Sequence, residues 1–298
     1  MEVLNEKLDV STRVVLSWLF ILRHETKYTK IHLTLLDRRN QHSKAAVVGS
    51  GGPVVSVTTH GERLKAVHLV LESIAAGSTL PSRLILWVDR PESLAHPSLG
   101  LRRLVDRGLE IRLSDNFGPH TKYYPYLLSA DRLDCPLVTA DDDLLYSKWW
   151  LEGLVRSHNE SPEEVNCYRA HLMRLADGTI SPYRTWGRCE STSPSFLHFA
   201  TGTSGCIYPP SLQKQLKLAG PEFLDCCPKA DDVWLHVNAV RAGIKIRQVC
   251  NRPLRFPVVP GTQQVGLYRD NCSLERNDEH IRKTYTTADI ALLESLQK

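Results

Sequence analysis

Between residues 54 and 140 the chain alternates short β-branched apolar runs with segments of helical periodicity, and this alternation constrains the fold more than any other feature. Val54-Val55-Ser56-Val57-Thr58 reads as a strand buried on both faces, Arg63 to Ala76 carries the period of a helix, and Arg83 to Val88 (RLILWV) reads as a second strand ending at Asp89. Leu99 to Arg107 then reads as a helix closed by Gly108, Leu109 to Leu113 as a third strand, and Tyr123 to Ala130 as a helix leading into a fourth. Strands that alternate with helices run parallel, so the predicted fold is α/β, a Rossmann-like, mainly parallel sheet flanked by helices. Ligands of such sheets gather beyond the carboxyl ends of the strands. Thr58-Thr59-His60, Asp89 and Asp115 all fall at such ends.

The fourth strand delivers the most polar motif of the chain. Thr139 to Tyr146 reads TADDDLLY, three aspartates that follow the apolar run Pro136-Leu137-Val138. Adjacent carboxylates repel one another and cannot be buried unpaired, so Asp141-Asp142-Asp143 either faces water as an acidic turn or holds a hard cation. Mg²⁺ or Mn²⁺ is usually held by one or two carboxylates together with substrate phosphates, which suits Asp141 and Asp143 at a strand's carboxyl edge. The cation reading therefore places a diphosphate nearby.

Composition narrows the class. A chain of 298 residues, 42% hydrophobic and 23% charged, with neither repeats nor low-complexity tracts, has room for a large core in one big or two small domains. Its net charge of +4 is consistent with an anionic small-molecule substrate or an acidic membrane surface, and does not indicate nucleic acid. Eight cysteines show no CxxC spacing, and the adjacent pair Cys226-Cys227 would make an awkward disulfide. Free thiols in a reducing cytosol fit better than a disulfide framework or a structural zinc.

The apolar run Val14 to Leu22 (VVLSWLFIL) falls short of the roughly 18 to 20 residues that span a bilayer. Acidic residues precede it and Arg23-His24-Glu25 follow, which does not fit a secretory signal. It reads either as a buried helix of an N-terminal extension or, with Lys27, Lys30, Arg38 and Arg39 close by, as a peripheral membrane or homodimer contact. Residues 1–52 are accordingly expected to be an appendage that ends in Gly49-Ser50-Gly51-Gly52.

From Pro53 to Val249 the chain resembles nucleotide-sugar glycosyltransferases of the GT-A fold, in particular the bacterial family 2-like enzymes. PVVSVTTHGERLKAVHLVLESI is similar to their opening strand, loop and helix, LPSRLILWVD to their second strand with its terminal acid, and TADDDLLYSKWW to their DxD motif and the helix start after it. FATGTSGCIYPP resembles their Gly-rich acceptor-side loop, and ADDVWLHVNAVRAGIKI their acidic pair heading a helix. The order and spacing of these segments make the resemblance specific. Three departures stand out: Gly77-Ser78-Thr79 replaces the Gln often found after the first helix, the DxD is a triple Asp, and the QxxRW motif of processive synthases is missing.

The resemblance implies a metal-dependent transfer of a sugar from a UDP- or GDP-linked donor to a hydroxyl of a glycan or lipid-linked acceptor, non-processive, in cell-envelope polysaccharide or glycolipid synthesis. Thr58, Thr59, Asp89, Lys122, Asp141 and Asp142 would bind the donor nucleotide, and Asp141 and Asp143 the Mn²⁺ or Mg²⁺ ion. Asp89 can accept hydrogen bonds from a uracil or guanine N–H, or serve merely as a loop acid or helix cap. Lys122 can offset diphosphate charge, or be a solvated surface lysine. Asp231-Asp232 opens a predicted helix, where mutual repulsion raises one carboxyl toward a useful base; capping that helix is the plainer role. Register with the family's acidic pair makes Asp232 the base, in an inverting displacement, and Asp231 the residue that orients the acceptor.

Lesser candidates are His236, one turn past Asp232; His280, either an added metal ligand or part of a solvated charged turn; Trp149-Trp150 and Trp186, as sugar platforms or core; and Tyr183 to Arg188, as a mobile acceptor loop. The expected organisation is an extension (1–52), the GT-A domain (53–265) and a C-terminal tail packing on it (266–298), cytoplasmic and peripheral at most to the inner face of the membrane. A Mg²⁺-dependent nucleotidyltransferase and a catalytically silent sugar-nucleotide-binding protein are the competing readings.

Overall fold

The computed structural model describes residues 9, 12, 13, 15, 16, 25–262 and 276–296. Seven strands form the central sheet: β1 (Val54–Thr58), β2 (Arg83–Val88), β3 (Leu109–Leu113), β4 (Leu137–Ala140), β5 (Val165–Cys167), β11 (Cys206–Tyr208) and β12 (Ile246–Gln248). Their spatial order is β12-β5-β11-β4-β1-β2-β3, and only β11 runs antiparallel to its neighbours. Chain order therefore runs outward from β1 through β2 to β3 on one side and resumes with β4 on the other. The carboxyl ends of β1 and β4 flank the point where the order reverses, the place where sheets of this kind open a crevice. The remaining strands, β6 (Ala170–Leu172), β7 (Leu175–Ala176), β8 (Thr179–Ile180), β9 (Gly187–Arg188) and β10 (His198–Ala200), form a three-stranded sheet in the order β10-β6-β9 and a separate β7–β8 pair.

The helices are α1 (Glu25–His42), α2 (Val67–Ala75), α3 (Pro91–Ala95), α4 (Leu99–Val105), α5 (Tyr124–Ser129), α6 (Trp150–Glu160), α7 (Pro210–Ala219), α8 (Phe223–Cys226), α9 (Asp231–Arg241), α10 (Arg276–Thr284) and α11 (Thr287–Ser295). They divide between the sheet's faces according to its two-residue period. Val55, Val57, Leu84, Leu86 and Val88 join the core shared with α1, α2, α4 and α6. Val54, Ile85 and Trp87 join the opposite core, shared with α5, α7, α9 and the C-terminal helices. Ser56, the polar residue of β1, is fully buried but accepts a 2.9 Å bond from Trp87 Nε1, so its burial leaves the hydroxyl satisfied.

The first predicted helix is split, a 3₁₀ turn over Gly61–Lys65 preceding α2, and this break aims Arg63 at the crevice. Residues 25–52 are more closely integrated than an appendage. Leu36 and Val47 lie in the core beside Val55 and Val67. Glu72 of α2 is fully buried, held by Arg107 at 2.8 and 3.0 Å and by Arg39 of α1 at 2.9 Å. Removing one partner of such a pair leaves a buried charge and costs about 3–5 kcal/mol, so α1 is bound to the domain by more than packing. At the other end of the chain Arg241 pairs with Asp289 at 2.8 Å and His236 bonds the Tyr285 hydroxyl at 2.6 Å, which fastens α10 and α11 to α9.

Most of the apolar run Val14 to Leu22 lies outside the described residues, as does Cys272. The other seven cysteines are all free. Among the described residues no helix is long and apolar enough to cross a membrane.

Candidate active site

The chain turns sharply after β4. Asp141 N donates to the Tyr146 hydroxyl at 2.7 Å, Tyr146 N donates to Ser73 Oγ at 3.1 Å, and Val259 N donates to the Asp143 carbonyl at 2.7 Å. The acidic turn is thus clamped from both sides and is not a solvated loop. Asp142 and Asp143 are buried and Asp141 is half-buried.

Each aspartate meets a cation. Arg63 donates to Asp142 Oδ1 at 2.7 Å and lies 3.2 Å from Asp143 Oδ2; Lys122 donates to Asp141 Oδ1 at 2.7 Å. Thr59, the residue after β1, donates to Asp142 Oδ2 at 2.7 Å, closing the crevice floor between the ends of β1 and β4. The hydroxyl that reaches the aspartates is that of Thr59; Thr58 ends β1 opposite Trp87. Arg63 escaped the sequence reading because it sits in what looked like an ordinary amphipathic helix. The break after Gly61, whose φ is +56°, was the available signal.

The second acidic pair arrives from the other side. Asp231 and Asp232 are the first two residues of α9, whose Val233, Trp234, Val237 and Val240 anchor it in the core. Lys122 Nζ, already on Asp141, lies 3.7 Å from Asp231 Oδ2. Asp232 Oδ1 accepts the Gly202 N–H at 2.7 Å, so the backbone of the loop between β10 and β11 positions this carboxylate. A Cβ on Gly202 would lie 3.1 Å from Asp232 Oδ1, 3.6 Å from Lys122 Nζ and 3.8 Å from Asp231 Oδ2, and a glycine is what lets the three groups converge. The same loop is pinned where Trp150 Nε1 donates to the Ser204 carbonyl at 2.8 Å and packs against Gly205. Lys122 itself extends from a 3₁₀ turn fixed by His120, whose ring bonds the Tyr123 hydroxyl at 2.8 Å and the Cys227 carbonyl at 2.9 Å while stacking on Phe223.

The electrostatics follow from this arrangement. Among the described residues, Arg63 pairs with Asp142 and Asp143, and Lys122 lies between Asp141 and Asp231, with Asp232 beside them on the Gly202 N–H. Burial and then Asp231 push the Asp232 carboxyl up to about 8, against the opposing pull of Lys122 and the Gly202 N–H. Burial and then Asp141 push Asp143 up to about 6, with Arg63 opposing. Burial alone would lower Lys122, but Asp141 and Asp231 outweigh it and hold the ammonium well above the ordinary lysine range. Two carboxyls that burial holds above their ordinary range, Asp143 and Asp232, suit a divalent cation, which would favour their ionised forms. Among the described residues no three His, Cys, Asp or Glu side chains form a metal cage, so a bound ion would rely on one or two carboxylates and on substrate oxygens.

Asp89 directly follows β2, where its Oδ2 accepts from Asn116 Nδ2 at 2.9 Å. Other candidates are redirected by packing. His236 is buried between Tyr285 and the Phe196 carbonyl, and burial pushes it down to about 4, so it is a neutral core residue. His280 does not sit in a solvated turn; it is buried on α10, with Nδ1 3.3 Å from the Cys226 carbonyl. Trp150 and Trp186 are core residues, and Trp149 carries Lys148 over its ring. The segment from Tyr183 to Arg188 is anchored, not mobile: Tyr183 N donates to Asp278 at 2.7 Å, Trp186 Nε1 to the Ser181 carbonyl at 2.8 Å, and Gly187–Arg188 is a strand.

No protein-family model and no curated protein matches the chain. Solved structures do. The mannosyltransferase PcManGT from Pyrobaculum calidifontis, in complex with GDP-Man and Mn²⁺, is 13% identical over 94% of this chain and 79% of its own, with a TM-score of 0.51. S. aureus TarS 1–349, in complex with UDP-GlcNAc, is 14% identical over 83% of this chain and 72% of its own, with a TM-score of 0.50. A CMP:2-keto-3-deoxy-manno-octonic acid synthetase complexed with CTP is 10% identical at a TM-score of 0.42, too distant to bear on function. The α/β fold expected from the alternating strands and helices is therefore the GT-A fold of nucleotide-sugar glycosyltransferases.

Proposed function

We propose that the chain is a metal-dependent glycosyltransferase that moves a sugar from a UDP- or GDP-linked donor to an acceptor hydroxyl with inversion. One observation carries this reading: Lys122 and Gly202 draw the strand-end aspartates and the acidic pair of α9 into a single site at the sheet's switch point. Asp141 and Asp143 would hold Mn²⁺ or Mg²⁺, which supplies Lewis acidity to the departing diphosphate oxygens. Lys122 offers an ammonium for the diphosphate charge that remains, while Thr59 and Asp142 fix the crevice floor. Asp89, at the open end of β2, is the acceptor for a base N–H.

Asp232 takes the proton of the acceptor hydroxyl. The acceptor oxygen attacks the anomeric carbon as the bond from that carbon to the diphosphate oxygen breaks, and the nucleoside diphosphate leaves with the electron pair. Asp231 orients the acceptor. Asp232 must be ionised to act, so activity rises with pH toward its value of about 8. The absence of a QxxRW segment from the sequence supports one transfer per encounter, to a glycan or lipid-linked acceptor. The test is nucleoside diphosphate release from UDP-GlcNAc or GDP-mannose in wild type and Asp232→Asn, with donor affinity measured alongside. Equal release by both would remove Asp232 from the chemistry.

A further inference from the structure

Helix α1 divides into two stripes of opposite character. Thr29, Leu33, Leu36 and Asn40 recur every three or four residues, the spacing that stacks side chains along one side of a helix, and this side is turned to the domain. Thr29, Leu36 and Asn40 are buried, Leu33 packs against the core that Leu36 joins, and Asn40 Nδ2 donates to the Gly100 carbonyl at 3.0 Å. The opposite stripe is Lys27, Ile31, Leu35, Arg38 and His42, at the same spacing, and all of it is exposed. Ile31 is 51% exposed and Leu35 54%, so two branched aliphatic side chains stand one helical turn apart in water. Lys30, next to Ile31 in the chain, and Lys44, just past the helix, are exposed as well. Arg39 is taken up by Glu72 and the Ala75 carbonyl, whereas among the described residues Lys27, Lys30, Arg38 and Lys44 make no ion pair. Asp37 lies to one side of the outer stripe, where it accepts from Gln41 Nε2 at 2.8 Å.

We propose that the outer stripe of α1 docks the protein on an anionic lipid surface. An exposed aliphatic pair alone is ordinary; the cations around it are what select a partner. Charge complementarity calls for an anion, and the apolar pair calls for a place out of water. A bilayer rich in anionic headgroups supplies both: its phosphates take Lys27, Lys30 and Arg38, while Ile31 and Leu35 enter the boundary between headgroups and acyl chains. The long stems of lysine and arginine let each charge stay at headgroup level while the helix axis lies in the surface plane. Other occupants fit less well. A second copy of the chain, joined by a two-fold contact through the same stripe, would set Lys27 and Arg38 against the same cations of its partner. A nucleic-acid backbone would meet the cations but leave Ile31 and Leu35 in water. Leu36, Asn40 and the Arg39–Glu72 pair already hold α1 on the domain, so the stripe is presented without folding on contact.

The probes are phosphatidylglycerol vesicles against phosphatidylcholine vesicles, sedimented with the full chain at low and at high salt and without any nucleotide, so the result does not depend on the sugar-nucleotide reading. Wild type should sediment with the anionic vesicles only and come off them as salt is raised. Lys27→Gln/Lys30→Gln/Arg38→Gln should bind them on the order of a hundredfold more weakly, about fivefold per charge. Ile31→Ser/Leu35→Ser should bind on the order of tenfold more weakly, through the lost apolar burial. Both variants should melt as wild type does, because all five side chains are exposed. Equal binding to both kinds of vesicle, or wild-type affinity in the charge variant, overturns the proposal. Wild-type vesicle affinity in Ile31→Ser/Leu35→Ser, together with charge-dependent binding of duplex DNA, overturns it in favour of nucleic acid. A dimer in analytical ultracentrifugation that Ile31→Ser/Leu35→Ser loses, with no vesicle binding by wild type, overturns it in favour of a second copy.

Discussion

Lys122 stands between two carboxylates from opposite sides of the crevice, 2.7 Å from Asp141 Oδ1 and 3.7 Å from Asp231 Oδ2. The ammonium is a structural joint between the acidic turn after β4 and the start of α9. It also lowers the proton affinity of Asp232, opposing burial and Asp231.

Replacing Lys122 with Met should therefore act twice. Nucleoside diphosphate affinity should fall by on the order of 1–3 kcal/mol, the loss of a charge-assisted bond. The acid limb of the pH–rate profile should also move to higher pH, because the cation that favours ionised Asp232 is gone. Calorimetry with UDP and GDP checks the first effect and kcat/KM against pH the second; a variant unchanged in both would show Lys122 to be a surface lysine.

Asp232→Asn keeps the acceptor for the Gly202 N–H and removes the base. Turnover should drop by about 10²- to 10⁴-fold with donor affinity retained. Stability should change in the opposite direction. The folded carboxyl titrates near 8 and the unfolded one near the ordinary aspartate value of about 4, so the folded state binds the extra proton in between, and wild-type stability declines as pH rises through that window. The variant should lose that decline and melt above wild type at pH near 8. Parallel melting-temperature curves for the two proteins from acid to alkaline pH would contradict the assignment.

Gly202→Ala inserts a methyl 3.1 Å from Asp232 Oδ1, closer than ordinary van der Waals contact. Displacement of that carboxylate by a fraction of an ångström should cost turnover, up to about 10²-fold, while leaving the fold intact. Steady-state kinetics alongside circular dichroism would show this, and full activity would mean the loop does not position the base.

Strand and helix order in the first half of the domain was legible because β-branched runs and helical periods are local signals, and they placed Thr59, Asp89 and Asp141 at strand ends. Acidic runs announce themselves in the same way, so Asp141–Asp143 and Asp231–Asp232 were visible. What the chain does not write locally is their neutralisation. Arg63 looks like any helical arginine until a 3₁₀ turn aims it at Asp142. Trp150 and Trp186 read equally as sugar platforms or core, and only long-range packing decides for core.

Arg63→Ala would leave Asp142, 4% exposed, with only the Thr59 hydroxyl as a partner among the described residues. A loss on the order of 3 kcal/mol is expected from an uncompensated buried charge, read from the midpoint of denaturant unfolding. Divalent cations should recover part of that loss, because a bound ion would supply the missing positive charge. No destabilisation, or no recovery with Mn²⁺, would mean Arg63 does not hold the acidic turn.

The most direct measurement is the release of nucleoside diphosphate from UDP-GlcNAc and GDP-mannose by the purified chain, with Mn²⁺ and with a chelator, in wild type, Asp143→Ala and Asp232→Asn. Cation-dependent release of UDP or GDP by wild type, lost in both variants, is the expected result. Undiminished release under chelation would remove the metal from the mechanism; pyrophosphate released from a nucleoside triphosphate, with no reaction on either sugar nucleotide, would contradict sugar transfer itself.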